Sequence, residues 1–267
     1  MASAHQQTAI IIPARYGSSR FPGKPMAKIA GTAMLERVWR IAKAVERVDA
    51  VYVATDDDRI AKLVTDFGGE AVMTPTTCRN GTERSLATLA EIDVQPDIVL
   101  NLQGDAVLTP PWILQALVDA MQDDVGLTMA TPAVRMTAKQ VADLVAAKAD
   151  GQVSGTTVTF DSKYRALYFS KRVIPYVRGR SDAPPIYRHI GLYAYRRDVL
   201  ETLCGLEPGP LEQAEQLEQL RALENGIGIQ VVEVDYRGRT HWSVDAPEDV
   251  VKVEELIAEE GELVDLT

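Results

Sequence analysis

The chain has 267 residues, of which 46% are apolar, and it carries a formal net charge of −10. The length allows one large domain or two small ones, and the apolar fraction supplies a full core, which excludes global disorder. The acidic balance argues against non-specific binding to nucleic acid or anionic membranes, so a polyanionic ligand must be held by local basic residues and a metal ion.

Neither end of the chain predicts export or membrane insertion. The first eight residues are polar, with no signal-peptide segment behind them, and no apolar run approaches the length of a membrane span. The two cysteines, Cys78 and Cys204, fit no metal-ligand spacing and are expected to be free thiols in a reducing compartment. We therefore expect a cytoplasmic protein.

The first predicted element is a buried strand that ends in a basic loop. Ile10–Pro13 is a run of branched apolar residues, and residues 15–24 follow it directly. A basic loop at the carboxyl end of the first strand is the usual phosphate position in an open α/β sheet. The spacing matches neither a Walker A loop nor G-x-G-x-x-G, and a basic surface loop is the alternative. The residues expected at a phosphate are Arg15, Gly17, Ser18, Ser19, Arg20, Gly23 and Lys24.

Strands and helices then alternate through the first half of the chain. Strands are predicted at Val51–Ala54, Ala71–Met73 and Ile98–Leu102. Helices are predicted at Met34–Val45, from Asp56 or Asp57 to Phe67, from Asn80 or Thr82 to Ala90, and from Pro110 to Met121. This rhythm predicts an α/β fold with a doubly wound, mostly parallel sheet.

The rhythm breaks after about Thr131. Strands are predicted at Val153–Phe160, Gly191–Tyr195 and Ile229–Val234, and helices at Asp198–Leu203, Leu211–Glu224 and from Ala246 onward. We expect one domain over residues 1–267, in which residues 132–200 form a smaller antiparallel section that covers the site or makes dimer contacts.

Two aspartates are candidate metal ligands. Asp105 follows the strand Ile98–Leu102 and would project at the same sheet edge as the basic loop, where a carboxylate beside a polyphosphate requires a bridging Mg²⁺. A turn formed with Gly104 is the alternative. Asp245 would be a second ligand if the fold brings it near, although a capping box with Glu248 explains it more simply.

Three further groups of polar residues are candidates for ligand contacts. Residues 81–84 open a helix that would hold a ribose or a base edge, or would merely be capped. Arg188 and His189, near Tyr193, have the chemistry to bind a carboxylate and hydroxyls. On the helix Leu211–Glu224 the polar face, a row for sugar hydroxyls or a solvated surface, carries Glu215, Glu218 and Gln219.

Taken together, the motifs resemble the 3-deoxy-manno-octulosonate cytidylyltransferase (CMP-Kdo synthetase) family. The matching stretches run in order over nearly the whole chain: IIPARYGSSRFPGKP, VATDD, NGTER, NLQGD, ALYFS, RHIGLYAYRRDVL, LEQAEQLEQLR and VDAPEDV. The resemblance implies a nucleotide-diphospho-sugar transferase-like fold and a homodimer. It also implies an enzyme that transfers CMP from CTP to the anomeric hydroxyl of a 3-deoxy-ulosonic acid, releasing pyrophosphate, for lipopolysaccharide or capsule synthesis.

The resemblance further implies roles for individual residues. CTP is expected mainly within residues 1–131, against Ala14, Arg15, Gly17, Ser18, Ser19, Lys24, Thr55, Gly81, Thr82, Arg84 and Gln103. Mg²⁺ is expected on Asp105 and Asp245, with residues 201–267 completing the sugar and metal sites. The ulosonic acid is expected against Gln103, Arg188, His189, Tyr193, Glu215, Glu218 and Gln219. The expected catalytic residues are Lys24, Asp105 and Arg15.

The chain departs from the family pattern at three places. Ala106-Val107 follows Asp105 where the family usually has Glu-Pro, residues 153–158 lack the usual Val-Lys-Val, and Lys171 stands where Arg is preferred. The loss of one acidic and one basic group hints at an acid other than Kdo or at altered activity. The alternatives are the same chemistry on a related acid, a glycosyltransferase that uses the D-x-D of Asp56–Asp58, and a non-catalytic CTP-binding relative.

Overall fold

A computed structural model describes residues 6–18, 20–152, 154–179 and 184–266. Its first half consists of β1 (Thr8–Ala14), a 3-10 helix (Lys24–Met26), β2 (Lys28–Ile29), β3 (Thr32–Ala33), α1 (Met34–Lys43), β4 (Ala50–Thr55), α2 (Asp58–Asp66), β5 (Glu70–Met73), α3 (Gly81–Glu91), β6 (Ile98–Asn101) and α4 (Pro111–Asp123). The predicted alternation is confirmed here, including the caps, which are Asp57 on α2 and Asn80 on α3.

The second half consists of β7 (Met129–Arg135), α5 (Ala138–Ala149), β8 (Thr157–Phe160), β9 (Ala166–Ser170), β10 (Tyr187–His189), β11 (Tyr193–Arg196), α6 (Arg197–Gly205), α7 (Pro210–Glu215), α8 (Gln219–Glu224), β12 (Ile229–Glu233) and α9 (Pro247–Glu260). Here the sequence predicted less. It missed β7, α5, β9 and β10, and it joined α7 and α8 into one helix. The predicted strand from Val153 begins only at Thr157, and Val153 itself lies outside the described residues.

The main sheet runs in the order β5-β4-β1-β6-β11-β7-β10-β8-β9, with β12 paired to β7. The strands β5, β4, β1 and β6 are parallel, whereas β11 is antiparallel to both β6 and β7. The doubly wound parallel half and the antiparallel section are thus parts of one continuous sheet, and β2 pairs with β3 in a separate small sheet. The predicted fold class is confirmed.

Apolar cores cover both faces of the sheet. One core joins Ile10 and Ile12 of β1 to residues of α1, α2, α4 and α9, and the other joins Ile11 to residues of α3, α6 and α8. Burial on both faces explains why β1 is a continuous apolar run rather than an alternating one. Within the described residues, no helix is long and apolar enough to cross a membrane.

Candidate active site

A cleft of about 350 Å³ opens where β1 and β6 end, and we call it the main cleft. The loop after β1, the start of α3, the turn after β6 and the segment before α9 border it. Parallel strands that end at one edge bring residues from distant parts of the sequence together at that edge. The predicted site residues that line the main cleft are Ala14, Arg15, Ser18, Lys24, Gly81, Arg84, Gln103, Asp105 and Asp245.

The loop after β1 is held in shape by Tyr16. The carbonyl of Tyr16 accepts backbone hydrogen bonds from Ser18 and Gly23, at 3.0 and 2.9 Å. The guanidinium of Arg59 stacks on the Tyr16 ring, 3.4 Å from its centroid. Gly23 has a φ of 72°, in the left-handed region that favours glycine. This turn starts the 3-10 helix whose first residue, Lys24, faces the main cleft.

Lys24 joins two distant segments at the bottom of the main cleft. Its Nζ donates to Oδ2 of Asp105 and to the carbonyl of Val244, each at 2.7 Å. The Lys24 side chain is only 16% exposed. Because Val244 directly precedes Asp245, this contact holds Asp245 beside the segment that carries Asp105. The sequence made a metal role for Asp245 conditional on such a juxtaposition, and the fold provides it.

The cap at the start of α9 differs from the predicted one. Asp249, and not Glu248, accepts the backbone N–H groups of Asp245 and Ala246, both at 2.8 Å. Burial alone would raise the pKa of Asp249, but these two hydrogen bonds bring it below its usual value. The predicted Asp245–Glu248 capping box is therefore wrong. The Asp245 side chain has no capping role and instead pairs with Arg20 at 2.9 Å.

The donors of the main cleft fit Mg²⁺ that arrives with a nucleotide. Mg²⁺ is usually held by one or two carboxylates together with phosphate oxygens and waters, rather than by a cage of protein ligands. Asp105 and Asp245 supply two partly exposed carboxylates in the same cleft. In the parts of the chain that the structure describes, no group of three or more His, Cys, Asp or Glu side chains could hold an ion. A ligand's own phosphates would therefore complete the coordination.

The N-terminus of α3 points its first residues at the main cleft. Asn80 caps this helix by accepting the N–H of Glu83 at 2.9 Å. Arg84 is 4% exposed at its side chain, and its guanidinium donates to Thr74 at 2.7 Å and to Asp56 at 2.8 Å. A helix N-terminus and a fixed guanidinium both favour acceptor atoms and negative charge.

Two of the three aspartates in the D-x-D motif at Asp56–Asp58 have structural roles. Asp56 pairs with the buried Arg84, and Asp57 caps α2 by accepting the N–H of Arg59 at 3.0 Å. None of the three aspartates lines the main cleft. The glycosyltransferase alternative therefore loses the metal site on which it depended.

The turn after β6 packs tightly against the end of β1. A side chain at Gly104 would come within 2.9 Å of the Pro13 carbonyl, so this position requires glycine for the close approach. The amide of Gln103 lies over the first turn of α3, 3.5 Å from the place where a Cβ of Gly81 would be. Gln103 thus stands between the main cleft and the polar residues on the far side of α3.

Three described residues that were predicted to contact CTP, which are Gly17, Thr55 and Thr82, do not line the main cleft. Gly17 is exposed, and a Cβ there would meet no atom within 4 Å. Thr55 is fully buried at the end of β4, where its hydroxyl accepts the N–H of Asp57 at 3.3 Å. Thr82 is turned toward Glu218, to which it is hydrogen-bonded. Ser19 lies outside the described residues.

Four of the predicted sugar-binding residues form a second group together with Thr82, which was expected at CTP. We call this group the inner polar cluster, and it consists of Thr82, His189, Tyr193, Glu218 and Gln219. The rings of His189 and Tyr193 lie 5.6 Å apart. The charge of Glu218 acts on Tyr193, and Glu218 is hydrogen-bonded to Thr82, which adjoins the main cleft through Gly81. The inner polar cluster therefore adjoins the main cleft at the start of α3.

Burial shifts the pKa of each titratable member of the inner polar cluster in the direction that favours its neutral form. It lowers the pKa of His189 to about 3, with a smaller contribution from His241, and His189 Nε2 lies 2.9 Å from the Thr131 hydroxyl. Burial raises the pKa of Glu218, although the Thr82 hydrogen bond opposes it. Burial likewise raises the pKa of Tyr193. Neutral donors and acceptors of this kind suit sugar hydroxyls.

The polar row predicted on one helix face is wrong in its geometry. Gln216 has a φ of 53° and ends α7, so Glu215 and Gln219 belong to different helices. Glu215 accepts from the Ser170 hydroxyl at 2.6 Å and from the Lys171 N–H at 2.9 Å. Gln219 is buried, and its Nε2 has no hydrogen-bond partner among the described residues.

Arg188 is separated from His189 although the two are adjacent in sequence. Successive residues of a strand face opposite sides of the sheet. Arg188 lines a different cavity, of about 310 Å³, together with Gln152 and Ser154. The predicted sugar-binding set is therefore divided among the main cleft, which holds Gln103, the inner polar cluster, Glu215 of α7, which contacts the end of β9, and Arg188.

Several residues near the site were not among those predicted. Cys78, Arg79 and Asn80 line the main cleft. Asn80 is the N-cap of α3 and the other two directly precede it, so the predicted helix start could have revealed them. His241 is close enough to His189 for their charges to interact, and its ring packs edge-on against Tyr236 at 5.5 Å. Burial lowers the pKa of His241 to about 4. No motif in the sequence marked His241.

The departures from the family pattern have local structural explanations. Val107 is 3% exposed, and Ala106 packs against the same core, so this turn is closed by apolar contacts. Gly155 has a φ of 83°, and a side chain there would come within 2.8 Å of Leu144 on α5. Segment 154–156 is thus shaped by α5, the helix that the sequence did not predict.

Comparisons with known proteins agree with this site. A family model described as cytidylyltransferase matches residues 9–231. The chain is 59% identical over 254 residues to a 3-deoxy-manno-octulosonate cytidylyltransferase from Maricaulis maris, a match that covers 95% of the chain and 98% of the relative. It is 42% identical over 253 residues to a protein of the same name from Anaeromyxobacter sp. strain K, with coverage of 95% and 98%.

A solved structure is similar over almost the whole chain. It is that of a CMP:2-keto-3-deoxy-manno-octonic acid synthetase complexed with CTP, and it superposes with a TM-score of 0.85 at 38% identity. The match covers 95% of this chain and 99% of the other. The parallel half, the antiparallel section and their connection are therefore common to both proteins.

Proposed function

The chain belongs to the cytidylyltransferase family, and from this premise we propose that it transfers CMP from CTP to the anomeric hydroxyl of a 3-deoxy-ulosonic acid. The observation that carries the proposal is the contact of Lys24 with both Asp105 and the carbonyl before Asp245. It brings a cation and two candidate metal ligands to the bottom of a cleft whose rim is a basic loop and a helix N-terminus. A nucleoside triphosphate with its metal requires this combination.

The reaction is an in-line displacement at the α-phosphorus of CTP. The anomeric oxygen forms a bond to phosphorus, the bond to the bridging oxygen breaks, pyrophosphate leaves with that oxygen, and the hydroxyl proton passes to water. Catalysis of this kind consists mainly of positioning and charge stabilisation. Lys24, and Arg15 at the rim, are the groups that would stabilise charge on the phosphates.

Asp105 and Asp245 are the residues that would hold Mg²⁺. When bound, the ion neutralises charge on the phosphates and lowers the pKa of a coordinated hydroxyl. A histidine base is not required, which agrees with the lowered pKa of His189, about 3, since such an imidazole is a weak base near neutral pH. His189 and Tyr193 instead serve as hydrogen-bonding partners for hydroxyls of the acid.

The identity with named 3-deoxy-manno-octulosonate cytidylyltransferases supports Kdo or a close relative as the acid. The apolar packing of Ala106 and Val107 accounts for one departure from the family pattern without a change of substrate. A cytoplasmic location, a homodimer and a role in lipopolysaccharide or capsule synthesis stay predictions.

The test is pyrophosphate release from CTP and Mg²⁺ with a panel of 3-deoxy-ulosonic acids, among them Kdo and an amino-Kdo. We expect release with at least one acid, dependence on Mg²⁺, and a much lower rate when UTP or ATP replaces CTP. Measurable CTP binding without release from any acid would contradict the enzymatic proposal and favour a non-catalytic CTP-binding protein.

A further inference from the structure

Four basic side chains lie close enough for their charges to interact, around the ends of α5 and β9, in a protein whose net charge is −10. They are Lys148, Lys171, Arg172 and Arg188, and we call them the cationic cluster. Lys148 comes from the last turn of α5, Lys171 and Arg172 follow β9, and Arg188 lies on β10. Three separate elements thus direct positive charge to one place.

The position of Lys148 is set by the segment that follows α5. Its Nζ donates to the carbonyl of Ser154 at 2.6 Å. The neighbouring Gly155 lies beside Arg188, whose Nη2 is 3.6 Å from the place where a Cβ of Gly155 would be. Gln152 and Ser154 line the same cavity as Arg188. The ammonium of Lys148 is therefore bound to a segment that lines the cavity of Arg188.

The charges of the cationic cluster repel one another. Burial lowers the pKa of Lys148, and the charges of Lys171, Arg188 and Arg172 lower it further. The carboxylate of Glu215 acts in the opposite direction, but its oxygens already accept hydrogen bonds from Ser170 and from the backbone of Lys171. An additional anion at this position would be bound favourably.

The cationic cluster adjoins the inner polar cluster. Lys171 follows Ser170 and Phe169 at the end of β9, and the Phe169 ring packs edge-on against His189 at 4.9 Å. Lys171 therefore stands two residues beyond a ring that contacts His189, which brings this member of the cationic cluster near the inner polar cluster. The two environments together suit a molecule with many neutral hydroxyls and one permanent negative charge.

We propose that Lys148 is a specificity-determining residue that binds the carboxylate of the sugar acid, so that α5 acts as a substrate-recognition helix. The inference rests on the proposed function, because it assigns one end of that reaction's second substrate. The phosphates of CTP belong to the main cleft, with its own cations Arg15, Arg20 and Lys24. The carboxylate is the remaining anionic group that the cationic cluster can bind.

The test compares Lys148→Met with Lys139→Met, a control on the same helix. Lys139 is 84% exposed at its side chain and pairs with Asp143 at 2.6 Å. Each protein is assayed with the sugar acid and with its carboxamide, which keeps the ring and hydroxyls but lacks the charge. Losing one charge-assisted hydrogen bond should lower kcat/KM for the acid by about 10- to 100-fold in Lys148→Met.

The carboxamide separates binding from a structural role. We expect Lys148→Met to change kcat/KM for the carboxamide by less than about threefold and to leave the KM for CTP unaltered. Lys148→Arg should retain most of the activity with the acid. Equal losses with acid and carboxamide, or no loss with either, would overturn the proposal. Thermal unfolding of each variant shows whether α5 still folds.

Calorimetric binding of the acid keeps this inference separate from the proposed function. If the wild-type protein binds the acid but releases no pyrophosphate, the proposed reaction fails. Weaker binding of the acid to Lys148→Met, with unchanged binding of the carboxamide, would still support the inference. Equal binding of the acid to both proteins would overturn it.

Discussion

The main cleft and the inner polar cluster adjoin each other at the start of α3, but their charged groups are arranged differently. In the main cleft cations and carboxylates are paired, as in Lys24 with Asp105 and Arg20 with Asp245. In the inner polar cluster burial lowers the pKa of His189 and raises that of Glu218, and the basic side chains of the cationic cluster lie near it, around the end of β9.

This difference follows from what each region would have to bind. A metal–triphosphate complex carries both signs of charge, so its site needs carboxylates for the metal and cations for the phosphates. Without ligand, these groups satisfy one another. A sugar acid has many neutral hydroxyls and one charge, so a neutral pocket with a cationic end is sufficient. Substitutions in the two regions should therefore affect different kinetic parameters.

The largest effect is expected from Asp105→Asn. It removes a candidate metal ligand and the partner of Lys24 while preserving size, so kcat should fall by about 10³-fold or more. The measurement is pyrophosphate release at saturating CTP and Mg²⁺, with Asp58→Asn, at the start of α2, as the control. Wild-type kcat in Asp105→Asn would refute the metal-ligand role.

Lys24→Met should lower kcat/KM for CTP by about 10²-fold, because the variant loses a cation at the phosphates. The KM for the acid should change little, because Lys24 lies in the main cleft and not in the inner polar cluster. Lys28→Met, on the short strand β2, is the matched control. An unchanged kcat/KM for CTP in Lys24→Met would make Lys24 incidental.

His189 should make the protein less stable in mild acid. Its pKa is about 3 in the folded protein and about 6.5 in the unfolded chain, so the unfolded state binds more protons between these values. Stability is then lost as the pH falls below about 6.5, by roughly 2 kcal/mol between pH 7 and pH 5.

Urea unfolding at pH 7 and pH 5 measures this contribution as the difference between wild type and His189→Gln. The variant should lose roughly 2 kcal/mol less between the two pH values. His241→Gln should behave similarly, because burial also lowers the pKa of His241, to about 4. Identical pH dependence in wild type and His189→Gln would mean that His189 is not held neutral by the fold.

The smallest effect is expected from Glu218→Gln. Because burial raises the folded-state pKa of Glu218, the ionised carboxylate destabilises the fold as the pH rises from the unfolded value through the folded one. The amide can still accept from Thr82, so the variant should melt slightly higher than wild type at pH 7 and equally at pH 4. A lower melting temperature at pH 7 would show that the charged form is stabilised. Glu255→Gln on α9 serves as the control.

The parallel half could be predicted from the sequence because its signals are local. β1 is a continuous apolar run buried on both faces, and Asp57 and Asn80 are good N-caps at the positions where helices begin. The basic loop and Asp105 follow strands directly, so the sheet edge decides where they lie. Most of the residues expected at the nucleotide accordingly line the main cleft, whereas Gly17 and Thr55 do not, and their roles toward CTP stay predictions.

The antiparallel section was harder to predict because its elements depend on tertiary contacts. β10 has three residues and pairs with β7 and β8, so no periodicity is visible. α5 buries only Leu144 among its described residues, although its capping box of Thr137 and Gln140 could have been recognised. The break at Gln216 requires a positive φ at a non-glycine residue, which the helical pattern of residues 211–224 conceals.

The most direct test of the central claim follows the anomeric oxygen. The sugar acid is labelled with ¹⁸O at this position, incubated with CTP, Mg²⁺ and the protein, and the products are analysed by mass spectrometry. Attack on the α-phosphorus predicts one label in the CMP-linked acid and unlabelled pyrophosphate. Label in the pyrophosphate, or free CMP without a CMP-linked acid, would contradict the account.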